Sequence, residues 1–462
     1  MDAATARGGD FADIFVEEKK SVGISCEAGK IERILSGVDA GAGIRVLSGA
    51  STAYAYTNDL SRDGLLEAAG IVSHAAASGK KGVNLEFIDV KPAVNFDFKE
   101  RPEDVPTEQK VAVVEAADKT ARSVDREQIK QVMVGYGDVV QKVTIANSSG
   151  DYVEDERIRT RLVVQAVAAS GQVIQTGYEA VGSLCGFELF KRYPPEEVAG
   201  TAANRALEML KAKPAPAGRM PVVMASEAGG TMVHEACGHG LEADLVQKNL
   251  SVYTGKKGQV VASGEVTVYD DAAIDSRYGS YRFDDEGVAA RKVNLIENGV
   301  LVDFLYDRLT AVKDGRQSNG HGRRESYQHK PIPRMANTCI APGKTDPQKI
   351  IRETRNGLLV KKMGGGQVNT ITGDFVFDVA EGYLIKDGEI GPMVRGATLT
   401  GNGPEVLRII EMVGSDLGFS IGACGKDGQG VPVSDAQPTI AIRELIIGGA
   451  SQGKPNGKIR RI

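Results

Sequence analysis

The sequence predicts an α+β fold in two domains. The N-terminal α+β domain spans residues 1–213, and the C-terminal β-rich domain spans residues 219–462 and contains a distorted helix near its start. Three observations carry this reading. The first half mixes helical and strand periodicities. A Pro/Ala/Gly break, Lys213-Pro214-Ala215-Pro216-Ala217-Gly218, cannot continue a helix and marks the boundary. Beyond it glycines are denser and two-residue turn signals multiply. With 462 residues the chain exceeds one ordinary core, and runs of strands apart from helices argue for α+β over a doubly wound sheet.

Taken in order, Phe11 to Leu35 alternates apolar residues at Ile14 and Val16, then at Val22, Ile24 and Cys26, and breaks at Gly29. Asp59-Leu60-Ser61 precedes a helix with Leu65, Leu66, Ala69 and Val72 on one side, ending near Gly79. A second helix follows Pro106-Thr107-Glu108, with Val111, Val114, Ala117 and Ala121 on one face. From Gln128 to Thr176 the pattern is that of strands, with turns at Asn147-Ser148-Ser149-Gly150 and Ser170-Gly171. A third helix starts at Pro194-Pro195 and runs toward Lys213. In the second half, Glu297-Asn298-Gly299 and Lys386-Asp387-Gly388 each read as the turn of a hairpin in a mainly antiparallel domain. A further helix is expected around Pro404 to Val413.

Composition excludes several classes. Hydrophobic residues make up 42% and charged residues 25%, as in globular proteins. The net charge of −5 gives no nucleic-acid footprint, and the basic tail Lys458-Ile459-Arg460-Arg461 is short enough to be a solvated end. Met1 to Asp10 contains no apolar signal segment, and no run of 18 apolar residues occurs, so no membrane association is expected. Cys26, Cys185, Cys237, Cys339 and Cys424 are odd in number and widely spaced, which fits reduced thiols in a cytoplasmic protein.

The chemistry concentrates in Gly229-Gly230-Thr231-Met232-Val233-His234-Glu235-Ala236-Cys237-Gly238-His239-Gly240. Two of only five histidines flank a glutamate in the order H-E-x-x-x-H. Two neutral imidazoles can hold Zn²⁺, and an adjacent glutamate can act as general base on metal-activated water. On a regular helix, residues four apart project about 40° apart, whereas residues five apart project about 140° apart. His234 and His239 reach one ion only if the helix is distorted, for instance by a π-bulge, and Gly238 tolerates such a distortion. A third protein ligand is required. Cys424, in the glycine-flanked stretch Ile421 to Gly430, ranks first, because Lys426 beside it favours the thiolate. His321 and Glu242 stand behind it, and Cys237, two residues before His239, points elsewhere.

The segments His234-Glu235-Ala236-Cys237-Gly238-His239-Gly240-Leu241-Glu242 and Cys424-Gly425-Lys426-Asp427-Gly428-Gln429 resemble the two signature regions of the TldD/PmbA metalloproteases, also called modulators of DNA gyrase. Ala12 to Glu17, Gly41 to Val46, Arg282 to Gly287 and Asn319 to Arg323 resemble further family segments, so the likeness spans nearly the whole chain. This chain keeps both histidines, the glutamate and the cysteine, as the active, TldD-type partner does. The resemblance implies His234, His239 and Cys424 as zinc ligands and Glu235 as general base. It also implies a peptidase trimming peptides or unfolded polypeptides, working as a heterodimer with a metal-free paralogue or as a homodimer. Gln429, Tyr281 and His321 are candidates for a side-chain oxyanion donor. The competing readings are a structural-zinc binding or modulator protein, in which Glu235 is dispensable, and a thiol hydrolase using Cys424 or Cys237, which chelators leave active.

Overall fold

The computed structural model describes residues 1–76 and 87–449. Strands β1 (Phe11–Glu27) and β2 (Lys30–Ser48) form a hairpin, joined by Ala28 and Gly29 at φ of 52° and 75°, the pair of positive angles that matches strand twist. β3 (Ser51–Thr57) extends it on one side. Helix α1 (Arg62–Ala75) follows, its first turn capped by Ser61, whose hydroxyl accepts from the Gly64 amide. It ends at Ala75; Gly79, the expected end, lies outside the described residues. Helix α2 (Thr107–Val124) precedes three long antiparallel strands, β4 (Ile129–Asn147), β5 (Asp151–Ser170) and β6 (Val173–Ser183). Helix α3 (Pro195–Lys211) closes this half. The sheet runs β3-β2-β1-β4-β5, with β6 also on β5.

One face of this sheet is covered by α2 and α3. Val114, Ala117 and Ala121 of α2 and Val198, Ala199, Ala202 and Ala206 of α3 pack on Ile24, Val132, Val134, Leu162 and Val164. The alanines bring α3 close to the sheet: a Cβ on Gly177 would lie 1.9 Å from the Ala202 carbonyl oxygen. Each fully buried Val or Leu of this layer contributes about 1.5–3 kcal/mol, so the alternation of β4 and β5 is what docks the helices.

Past residue 213 the chain builds two further large sheets and a small two-stranded one, Gly322–Arg323 with Ile332–Pro333. Strand β7 (Gly218–Met224) leads directly into the histidine-bearing turns. In one sheet, β8 (Val268–Asp271) lies between Lys292–Glu297 and β9 (Asn337–Ile340), and β9 pairs in parallel with a strand of the hairpin β10 (Gly418–Lys426) and β11 (Gln429–Gln437), namely β11. In the other, Gly357–Val368, β7, β12 (Ile440–Gly448), Thr398–Asn402 and Asp374–Lys386 follow one another, and the last pairs back to the first, closing a small barrel. Both predicted turns stand: Asn298-Gly299 and Asp387-Gly388 have positive φ and join antiparallel strands. The predicted helix around Pro404 to Val413 is only half right. Gly403–Arg408 is helical, but Ile410–Val413 is a strand on β12, because Ile410 and Val413 bury against that sheet. The domain is mainly antiparallel, with parallel pairings of β9 to β11 and of Gly357–Val368 to β7.

The two halves are joined by buried ion pairs. Arg45 of β2 bonds Asp13 and, at 2.7 Å, Glu286; Arg157 of β5 bonds Asp155 at 3.0 Å and Asp285 at 2.6 Å. The segments Gly41 to Val46 and Arg282 to Gly287 therefore meet at this joint. Among the described residues no helix is long and apolar enough to cross a membrane. The basic tail Lys458 to Arg461 lies outside the described residues.

Candidate metal centre

After β7, Gly229 at φ 69° turns the chain and Gly230 presses on β11, where a Cβ would lie 2.2 Å from the Ala436 amide nitrogen. A short helix, Thr231–Val233, then opens into a π-turn over His234–Gly238, with the His239 amide donating to the His234 carbonyl five residues back. A 3₁₀ turn, His239–Leu241, ends it. The extra residue absorbed by the wide turn brings the two rings face to edge, with centroids 4.9 Å apart at 87°. Gly238 is required for a different reason than expected. Its dihedrals are ordinary helical ones (φ −51°, ψ −59°), and the buried Met335 sulfur occupies the place of a Cβ, 2.1 Å away.

The hairpin β10–β11 delivers the other half of the site. Cys424 pairs across to Val431 within a regular ladder, and the two-residue turn Asp427-Gly428 has positive φ at both positions. Cys424 is thus a strand residue, only 4% exposed, rather than the accessible loop thiol the glycines suggest. Ligand atoms of His234, His239 and Cys424 lie within 4.8 Å of one another, and Cys424 Sγ is 3.4 Å from His239 Nε2.

Both imidazoles are oriented through Nδ1. His234 Nδ1 donates to Asp435 at 2.7 Å, and His239 Nδ1 donates to Glu242 at 3.2 Å. This holds the Nδ1 proton on a carboxylate and leaves Nε2 as the nitrogen that would bind an ion on losing its proton, the arrangement in which carboxylates orient ligating histidines. Burial opposes protonation of both rings, but Asp435 raises His234 well above its ordinary value and Glu242 raises His239 to about 9. Burial also pushes the Cys424 thiol up, yet the hydrogen bonds and charges of the two histidines outweigh it and bring it down to about 5. The thiolate is therefore favoured by the imidazoles. Lys426, expected to do this, is turned to Glu242 at 3.1 Å and Asp244 at 2.6 Å. Two orientable imidazoles and a thiolate at this spacing suit a zinc-type ion, with three protein donors leaving a position open.

Glu235 is half-buried at the rim of a cavity of about 590 Å³, which His234, His239, Cys424 and Asp435 also line. Burial raises its carboxyl, the two imidazoles pull it down, and the net shift is upward, as suits a proton acceptor near neutral pH. Glu242 and Asp435, not foreseen in these roles, hold the rings. Burial raises Glu242, but Lys426 and His239 bring it down to about 2. Fully buried Arg334 donates to the carbonyls of Cys424 and Gln429 and lies 3.9 Å from Glu242, tying the cysteine strand to the histidine turn.

The remaining candidates fall elsewhere. Cys237 points into the core, its thiol 3.3 Å from the Val233 carbonyl and pushed up to about 12 by burial. His321 is buried against Asp270 at 3.0 Å, with Nδ1 on the Asn319 carbonyl. Neither belongs to the His/His/Cys group, and Glu242 serves His239 instead of joining it. Of the oxyanion candidates, Tyr281 donates to the Gly320 carbonyl and Gln429 bonds Glu325 and Lys330, and neither these nor His321 lines the cavity. Asp435 carried a sequence signal: Val431, Val433 and Asp435 alternate onto one buried face, and a carboxylate stands where an apolar residue is due.

Family models match in three consecutive parts. Residues 12–76 match PmbA/TldA metallopeptidase domain 1, residues 100–210 the central domain, and residues 217–449 the C-terminal domain. A metalloprotease of Methanothermobacter thermautotrophicus is 37% identical over 95% of this chain and 96% of its own length. A metalloprotease TldD homolog of Haemophilus influenzae is 35% identical over 98% and 95%. A zinc metalloprotease TldD homolog of Saccharolobus solfataricus is 28% identical over 96% and 97%. Among solved structures, a candidate modulator of a DNA gyrase from Thermotoga maritima superposes with a TM-score of 0.79 at 25% identity, covering 95% of this chain and 96% of that one. TldE from Thermococcus kodakarensis shares the fold with a TM-score of 0.74 at 22% identity, covering 96% and 97%.

Proposed function

The chain belongs to the PmbA/TldA metallopeptidase family, and on that premise we propose that it is a zinc-dependent peptidase acting on peptides or unfolded polypeptides. In this reading His234, His239 and Cys424 hold the ion and Glu235 is the general base. One observation carries it: both histidines spend Nδ1 on a buried carboxylate and turn Nε2 toward Cys424, and beside them at the cavity stands Glu235, which has no ion pair among the described residues. When bound, Zn²⁺ would acidify water to a pKa of about 7 and polarise the scissile carbonyl.

The chain's own residues would do the rest. Asp435 and Glu242 keep the rings from rotating, and Arg334 fixes the Cys424 backbone. Glu235 receives a proton at its carboxylate and returns it to the leaving amine. An extended peptide lying along a strand edge of the cavity would be read mainly through its main chain, giving weak sequence preference. We further propose a dimer, with a metal-free paralogue or with a second copy, and a reducing, cytoplasmic setting in keeping with five unpaired cysteines. Residues 1–213 and 219–462 are proposed as its two domains.

The test measures zinc content and peptide hydrolysis on one Glu235→Gln sample, with and without chelator. The reading requires retained zinc and lost hydrolysis. Retained zinc with undiminished hydrolysis would return the site to a structural role, and chelator-resistant wild-type activity would point to Cys424 as nucleophile.

A further inference from the structure

Strand β5 carries Arg157, Arg159 and Arg161 at alternate positions, so all three project from one face of the sheet. That face looks into a cavity of about 580 Å³ between the N-terminal sheet and the hairpin β10–β11, where Lys19, Arg323 and Arg324 add three more cations. The acidic residues on its wall are already engaged. Asp138 takes Lys110 at 2.7 Å, Asp285 takes Arg157 at 2.6 Å, and Glu325 accepts the Gly430 amide. Arg157 is thereby ion-paired, whereas among the described residues its neighbours are not. Among the described residues Arg159, 6% exposed, donates only to the carbonyls of Tyr278 at 2.7 Å and Ser280 at 2.8 Å. Arg323, 4% exposed, likewise donates only to the carbonyls of Met335 and Pro432 among those residues. Arg161 is exposed to the cavity and has no ion pair among the described residues.

Burying guanidinium groups without a direct ion pair is costly, and two of them beside a third are retained only where something repays the cost. The arginines strain one another: burial lowers Arg159 first, Arg157 and Arg323 lower it further, and it falls to about 9. A fixed planar fork is the donor geometry suited to a carboxylate. The cavity also has apolar walls at Leu35, Val139 and Pro432, which suit the chain attached to such a group. Its position identifies the ligand. Ala423 lies on both this cavity and that of the His/His/Cys group, so one hairpin is the common wall.

We propose that this cavity is a substrate subsite that binds a carboxylate of the peptide, either an acidic side chain or its free C-terminus, through Arg159, Arg161 and Arg323. The inference rests on the peptidase reading and adds to it a charge preference that main-chain recognition alone does not supply.

The test uses three fluorescent peptides of one length on zinc-loaded Glu235→Gln protein: one with an internal glutamate and an amidated end, one neutral with a free C-terminus, and one neutral and amidated. Affinity is read by anisotropy, so binding is measured whether or not hydrolysis occurs. At least one carboxylate peptide should bind ten-fold or more tighter than the neutral amidated one, and which one does so identifies the source of the carboxylate. Adding Arg161→Ala, at an exposed position, should bring that ratio below two-fold, and Arg159→Gln should do the same in samples with an unchanged melting temperature. Equal affinity for all three peptides overturns the proposal, and so does a ratio that survives Arg161→Ala. Wild-type protein that hydrolyses none of the peptides would count against the peptidase reading while leaving the binding ratio to decide this one.

Discussion

Two regions of the C-terminal half contain a buried histidine paired with an aspartate, and they use it differently. At the His/His/Cys group, His234 gives Nδ1 to Asp435 and leaves Nε2 toward a thiolate and a cavity. Beside the inter-domain joint, His321 gives Nε2 to Asp270 and turns Nδ1 to the Asn319 carbonyl, so both nitrogens end on protein. Asp270 is further satisfied by the amides of Ala336 and Asn337 and the Thr338 hydroxyl. A histidine–carboxylate pair therefore marks a ligand site when the second nitrogen faces another ligating atom at a cavity instead of ending on a backbone carbonyl. The same chemistry otherwise makes a closed structural knot.

The comparison breaks most sharply at Glu235. Glu235→Gln should lower peptide hydrolysis by a factor on the order of 10² to 10⁴ with zinc retained, since a positioned acid–base group is lost and no ligand is touched. Next in size is the thiol. Cys424→Ala should remove most of the bound zinc, whereas Cys237→Ala, in the core, should leave the stoichiometry intact. Metal analysis of the two purified variants checks this, and the reverse pattern would reassign the third ligand.

How much of this was legible in the sequence follows from which signals are local. The β4–β5–β6 meander was, because strict alternation between turn residues such as Ser170-Gly171 needs no partner to be read. The histidine turn was legible too, because five-residue spacing admits few geometries. Asp435 as partner of His234 was not. The pair is separated by 201 positions, and the close packing of Gly230 on β11 sets it beside the turn. Lys426 was misassigned for the same reason, since its charge goes to Glu242 and Asp244 in the segment that follows the histidine turn. Ile410–Val413 looked helical because its apolar residues continue the Pro404 pattern, and tertiary pairing to β12 overrides that weak propensity.

Breaking each histidine–aspartate pair in turn tests the distinction itself. His321→Ala should cost about 3 kcal/mol of stability, by opening a buried pair, while zinc content stays at the wild-type level. Asp435→Asn should behave in the opposite sense, with an unfolding midpoint near wild type and zinc affinity weaker by about 10- to 100-fold, the usual cost of losing a ligand's carboxylate partner. Denaturant unfolding and competitive zinc titration on both variants suffice. Zinc loss in His321→Ala would mean the knot supports the metal site and that the two regions are not independent.

The smallest expected effect separates the regions by pH. Next to the knot, Asp284 accepts the amides of Glu286, Val288 and Gly322, the last one residue from His321. Burial, then the charge of Glu286, raises Asp284 to about 8 and Asp307 to about 7. Both carboxyls are therefore held neutral in the fold at pH values where an unfolded chain ionises them. Their contribution is complete below the ordinary carboxylate range and is lost as pH rises through about 7 and then about 8, after which the folded groups ionise as well. The unfolding midpoint should consequently fall between pH 6 and pH 8.5. Asp284→Asn, which keeps a neutral side chain at every pH, should flatten part of that slope. A slope unchanged in Asp284→Asn would place the titrating protons elsewhere, and an upward slope would show that the joint's arginines hold these acids ionised after all.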